Sequence, residues 1–97
     1  MFTLTLTDQV AATIADLERR DQRKHRKVVR CLAKLEENPN HPGLMSHKYE
    51  TIRNLSLKQE PIWESYVENH SPSAWRVWWF YGPDDGEITV VDMGPHP

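Results

Sequence analysis

Two stretches of this chain concentrate side chains that do chemistry. Eight of its twelve basic residues (Arg19, Arg20, Arg23, Lys24, Arg26, Lys27, Arg30 and Lys34) lie in one segment, with Asp21 the only acid among them, a net of +7. The other four bases and thirteen acids leave −9 for the rest, so a pI of 6.2 conceals a strong asymmetry. A concentrated cationic stretch can dock nucleic acid or an acidic partner. The second stretch, Trp75 to Tyr81, holds five of the nine aromatics and sets Arg76 among them. An arginine between large aromatics on a strand is less common than one on a helix, which marks it for function; the other reading is an ion pair with Glu64 or Glu68. His25, His41, His47 and His70 are scattered, with no spacing that suggests a metal site. Glycine-rich phosphate loops, nucleophile elbows and paired catalytic cysteines are absent from the sequence, which counts against nucleotide hydrolases and proteases.

The elements that must position these residues belong to one domain, residues 1–97, since 11.4 kDa leaves no room for two. With 38% hydrophobic residues the chain can build a core. The apolar run around Trp78 to Tyr81 falls far short of the roughly 20 residues of a membrane-spanning helix, and no charged-then-apolar leader opens the chain. The single Cys31 excludes an internal disulfide and a zinc site of several cysteines, and suits a reducing cytoplasm. The expectation is a cytoplasmic protein with no membrane partner and no cofactor.

Phe2 to Thr7 alternates apolar and polar strictly, which predicts a half-buried strand. Thr7 or Asp8 then caps a helix whose apolar positions Val10, Ile14 and Leu17 share one face. Asp21 caps a second helix carrying Val28, Leu32 and Leu35, with Cys31 on the same stripe as a small buried residue. Arg23, Lys27, Arg30 and Lys34 fall roughly opposite that stripe, on a face that is either simply solvated or contacts phosphates. Asn38-Pro39 ends the helix. Pro39 to Pro61 is polar and aperiodic, a length of connection that is often functional. Three strands are expected after it: Ile62 to Glu68, Trp75 to Tyr81, and Glu87 to Met93, the last two joined by the turn Pro83-Asp84-Asp85-Gly86. The fold class is α+β, an N-terminal strand and a helical hairpin followed by three antiparallel strands, with the helices packed on one face of the sheet. Alternation sets Val77, Trp79 and Tyr81 on one face, and Arg76, Trp78 and Phe80 on the other.

This order of elements resembles the RelE/ParE toxin superfamily, the toxins of type II toxin–antitoxin pairs. Asn38-Pro39 with Pro42-Gly43-Leu44 looks like the family's helix exit. Lys48-Tyr49-Glu50-Thr51-Ile52-Arg53 is similar to the basic–x–acidic–x–aliphatic–basic loop of RNA-cleaving members. Trp75-Arg76-Val77-Trp78-Trp79 resembles their aromatic–Arg–aliphatic strand, and Ile88 to His96 their last strand with its terminal histidine. RNA-cleaving relatives commonly carry an arginine on the strand that here reads Trp63-Glu64-Ser65-Tyr66-Val67-Glu68, and they are strongly basic overall, which this chain is not.

The resemblance implies metal-independent cleavage of messenger RNA on the ribosome and a cognate antitoxin as partner. Such cleavage needs a base for the 2′-hydroxyl, a cation for the phosphate and an acid for the departing 5′-oxygen. By resemblance Glu50 is the base, Arg76 the phosphate clamp and His96 the acid. Lys48 and Arg53 flank the base, and Lys27 and Arg30 offer a phosphate-contacting helix face. Trp78, beside Arg76, either stacks on an RNA base or packs in the core or against the antitoxin. Two other readings stay open: a ParE-type, non-enzymatic inhibitor of DNA gyrase, and a domain with the fold and no toxic activity, which the two glutamates favour.

Overall fold

The alternating N-terminal segment forms a strand, β1 (Thr3–Leu6), and the polar residue after it starts the first helix. In the computed structural model, which describes residues 1–49 and 61–96, Thr7 caps α1 (Asp8–Arg20) by accepting the Val10 N–H at 3.3 Å. Asp21 does two jobs: its N–H donates to Leu17 O at 2.8 Å, closing α1, and its carboxylate accepts the Lys24 N–H at 3.1 Å, opening α2 (Gln22–Glu37). A single residue therefore joins the two helices of the hairpin. Asn38 closes α2 in extended geometry, as the following proline demands.

Two elements occupy ground where the sequence showed no periodicity. A 3₁₀ turn spans Pro42–Leu44, stabilised by His41, whose Nδ1 accepts the Gly43 N–H at 2.9 Å. A two-residue strand, β2 (His47–Lys48), follows. Two residues are too few to show alternation; the strand exists because β3 (Trp63–Tyr66) pairs with it, His47 opposite Glu64 and Lys48 opposite Trp63. β3 is thus shorter than the expected Ile62–Glu68, β4 (Trp75–Tyr81) matches its expected bounds, and β5 (Glu87–Pro95) runs two residues longer than expected. The turn between β4 and β5 places Gly86 at φ 77°, a conformation that glycine adopts without penalty.

The described strands form one five-stranded sheet in the order β1-β5-β4-β3-β2. The last three strands are antiparallel as expected, but β1 lies parallel to β5, Thr3 opposite Glu87 and Leu6 opposite Val90. The sheet is therefore mixed. The intervening helical hairpin supplies the crossover that a parallel pair requires. Both helices cover one face, where Val10, Leu17, Val28, Cys31 and Leu35 meet Val77, Trp79, Ile88, Val90 and Met93. Burial drives the Cys31 thiol up to about 12 despite the opposing charge of Lys34, so it behaves as the apolar core residue expected.

The register of β4 against β5 shifts by one residue between Trp78 and Trp79: Trp79 opposes Val90, whereas Trp78 opposes Asp92. This bulge lets Val90 and Met93 both face the helices although their spacing is odd. On the far side of the shift, Gly94 opposes Arg76, and the pairing continues through the His96 N–H, which donates to Ala74 O at 2.9 Å.

One polar chain runs through this core. The Trp79 indole donates to Ser65 Oγ at 2.8 Å, and Ser46 Oγ donates to Pro39 O at 2.8 Å. The 2.7 Å contact between the two serines is then the Ser65 hydroxyl donating to Ser46. Ser65 is fully buried, so losing it orphans the indole N–H. Ser65→Ala should cost about 1–3 kcal/mol in urea unfolding. The same change in a Trp79→Phe background should cost measurably less; equal costs in the two backgrounds would refute the coupling.

Candidate active site

Opposed residues of antiparallel strands share a face, so the ladder fixes which side chains meet on the sheet face away from the helices. His47, Glu64 and Trp78 belong to it, as do Tyr66, Arg76 and Gly94. His96 joins them because the β5 bulge has inverted the parity of everything beyond it. Without the extra residue, His96 would face the helices.

Glu64 is the centre of this group and is only 2% exposed. Its Oε1 lies 2.9 Å from His47 Nε2, and its Oε2 accepts the Trp78 indole N–H at 3.0 Å. Arg76 Nε and His96 Nε2 each approach to 3.9 Å, on opposite carboxylate oxygens. The other nitrogen of His47, Nδ1, lies 2.8 Å from Met45 O, and a carbonyl only accepts, so that nitrogen carries a proton. Nε2 is the atom through which His47 engages the carboxylate. A buried carboxylate needs donors to remain charged.

Arg76 is held from several sides. Nη1 donates to the carbonyls of Glu68 and Trp75, and the guanidinium lies 3.6 Å from the centroid of the Tyr66 ring. Nε is buried and, among the described residues, has no hydrogen-bond partner. The expected ion pair with Glu64 thus exists at 3.9 Å, while Glu68 engages Arg76 through its backbone carbonyl. Arg76 is also 8% exposed, a buried residue rather than a surface one, because Tyr66 and the β3–β4 connection enclose it.

The other sequence candidates divide. Trp78 is 4% exposed, its indole spent on Glu64 and its ring 5.8 Å from Tyr49, so it packs rather than offering a face to an RNA base. Lys48 projects to the other face, its Nζ 5.9 Å from the Trp63 ring, because its neighbour His47 takes the Glu64 side. Lys27 is not a free cation: it pairs with Glu68 at 2.8 Å, since α2 passes alongside the exit of β3. Arg30 is exposed and, with Lys27, lines an open cleft of about 450 Å³ bounded by Val67, Glu68, Asn69, His70 and Ser71. Glu50 and Arg53 lie outside the described residues. His47 and Glu64 were not among the sequence candidates. Nothing local marks His47, whereas Glu64 was visible as an acid where the resembled family carries arginine. Among the described residues, no group of three or more His, Cys, Asp or Glu is arranged to hold a metal ion.

Glu68 contrasts with Glu64. Burial opposes its ionisation, but the Lys27 hydrogen bond, the Trp75 N–H at 3.1 Å and Lys24 at 3.4 Å outweigh burial and hold its carboxyl below the usual range. A depressed folded value stabilises the fold at pH above the unfolded value of about 4.3, and that contribution disappears as pH falls through the folded value. The gap in urea midpoint between the parent and Glu68→Gln should therefore be widest near neutrality and close as the pH drops below about 4.3. A gap independent of pH would contradict this.

The α+β architecture that the motifs suggested is the one observed. No protein-family model and no curated protein matches the sequence. Solved structures do: the chain is similar to the YoeB dimer from Staphylococcus aureus, with a TM-score of 0.70 and 15% identity over 99% of this chain and 98% of that one. It is also similar to a YoeB–YefM complex from the same organism, with a TM-score of 0.67 and 15% identity over 100% and 99% of the two chains. A heterotetrameric YoeB–YefM toxin–antitoxin complex aligns with a TM-score of 0.66 and 16% identity over 100% and 99%. At these identities the likeness is one of fold.

Proposed function

We propose that this chain is the toxin of a type II toxin–antitoxin pair, an endoribonuclease that cleaves messenger RNA on the ribosome and is silenced by a cognate antitoxin. The observation that carries this reading is the placement of Arg76 and His96 on one open face, around a buried carboxylate. An arginine and an imidazole so placed can serve the two charges of RNA cleavage that side chains must handle. Arg76 neutralises the crowded phosphate, and His96, whose side chain is 43% exposed, protonates the departing 5′-oxygen. The site's own side chains supply this chemistry. Arg30 and its cleft offer the phosphate contacts that hold the message, and the cytoplasm, where ribosomes work, is where such a protein acts. The antitoxin is supported by the YoeB–YefM complexes that share the fold.

Primer extension on messenger RNA after brief induction tests this. The parent should leave new 5′ ends, and His96→Ala should cleave about 10²–10⁴-fold more slowly, the usual weight of a positioned acid. His96 is exposed, so the variant should melt like the parent. Arg76→Ala should lose activity too, but it should also lose stability, because Arg76 is buried and braces the β3–β4 connection. DNA damage with intact message would point to gyrase instead, and neither effect would mean a fold without toxicity.

A further inference from the structure

The resemblance places the base of the reaction at Glu50. The geometry points to a different residue: we propose that Glu64 is the proton acceptor for the 2′-hydroxyl. This rests on the RNA-cleaving reading above and names the residue that completes it.

Among the described residues, Glu64 is not a saturated carboxylate. An ionised carboxylate has about four acceptor positions, and among the described residues two are filled, by His47 and by the Trp78 indole. The other two groups aimed at it, Arg76 Nε and His96 Nε2, stop at 3.9 Å, beyond hydrogen-bond reach. Among the described residues, Arg76 Nε is a buried donor without a hydrogen-bond partner, the kind of group a phosphate oxygen would satisfy. Glu64 Oε2 and His96 Nε2 lie 3.9 Å apart, close enough for one scissile nucleotide to present its 2′-oxygen to the first and its 5′-oxygen to the second. Room exists beside them: the ladder residue opposite Arg76 is Gly94, and a Cβ built there meets nothing within 4 Å.

The step balances with these groups alone. Glu64 takes the 2′-hydroxyl proton, the 2′-oxygen bonds to phosphorus, and the bond from phosphorus to the 5′-oxygen breaks. His96, protonated, gives its proton to that oxygen. The products are a 2′,3′-cyclic phosphate and a 5′-hydroxyl; Glu64 is left protonated and His96 neutral, and exchange with water resets both. His47 positions the Glu64 carboxylate and is itself fixed by Met45 O.

Single-turnover cleavage of a message on ribosomes separates the roles when the scissile 5′-oxygen is replaced by sulfur, a leaving group that needs no proton. The full chain should cleave both messages. His96→Ala should lose activity on the oxygen message and recover it on the sulfur one. Glu64→Gln should lose about 10²–10⁴-fold on both, because the 2′-hydroxyl still needs an acceptor. Glu64→Asp, which keeps the carboxylate but withdraws it, should lose less on both and decides the matter if the glutamine variant fails to melt cooperatively. A Glu64→Gln or Glu64→Asp variant that cleaves like the parent overturns the assignment. So does a loss that vanishes on the sulfur message, which would mean that Glu64 acts only through His96. If Glu50→Gln is inactive on both messages while Glu64→Gln is not, the base is Glu50 and the assignment is overturned. A parent that cleaves neither message defeats the RNA-cleaving reading itself, and the Glu64 assignment falls with it.

Discussion

The arrangement depends on one residue of extra length in β5, set opposite the bond between Trp78 and Trp79. A strand shows alternate side chains to alternate faces, so a single inserted residue inverts every position beyond it. On the near side, Ile88 and Val90 pack under the helices. On the far side Met93 still does, and the even-numbered residues after it are turned to the open face. The same irregularity therefore completes the core and delivers the terminal histidine to Arg76. β4 is the reference for both outcomes, since it has a neighbour on each side and its seven residues span the shift.

The open face then has to accommodate a carboxyl group that is almost wholly buried. Glu64, on β3, is met in its burial by His47 from β2 and the Trp78 indole from β4, while Arg76 and His96 stand 3.9 Å away. Glu68, four residues on, has the opposite arrangement. Two lysines of α2 and a backbone N–H neutralise it, and its carbonyl takes the Arg76 guanidinium. One glutamate thus ties the helical hairpin to the sheet and holds Arg76 in place, while the other retains acceptor positions facing Arg76 and His96. Two carboxylates in one short segment are set to different work by their neighbours.

Much of this was legible in the sequence because it is local. Thr7, Asp21 and Asn38 announce the helix ends through cap chemistry, and the β4 alternation sorted Val77 and Trp79 from Arg76 and Trp78 correctly. What could not be read depends on pairing at a distance. The parallel placement of β1, the two-residue β2 and the bulge all arise from the partner strand rather than from the segment itself. Trp78 illustrates the consequence. Its face was read correctly, but its burial follows from Glu64 lying directly across the ladder, a register no local pattern contains. His47 was missed for the same reason, and Lys27 looked solvent-facing because Glu68 approaches it only in the folded chain.

The most direct test of the site is a crystal structure of the full chain with a short RNA whose 2′-hydroxyl is methylated at the scissile nucleotide, so that it binds without being cut. The expected result places the 2′-oxygen beside Glu64, the phosphate against Arg76 Nε, and the 5′-oxygen within hydrogen-bond reach of His96. RNA bound only along the cleft at Arg30, or on the Lys48 side of the sheet, with Glu64 and His96 untouched, would contradict it.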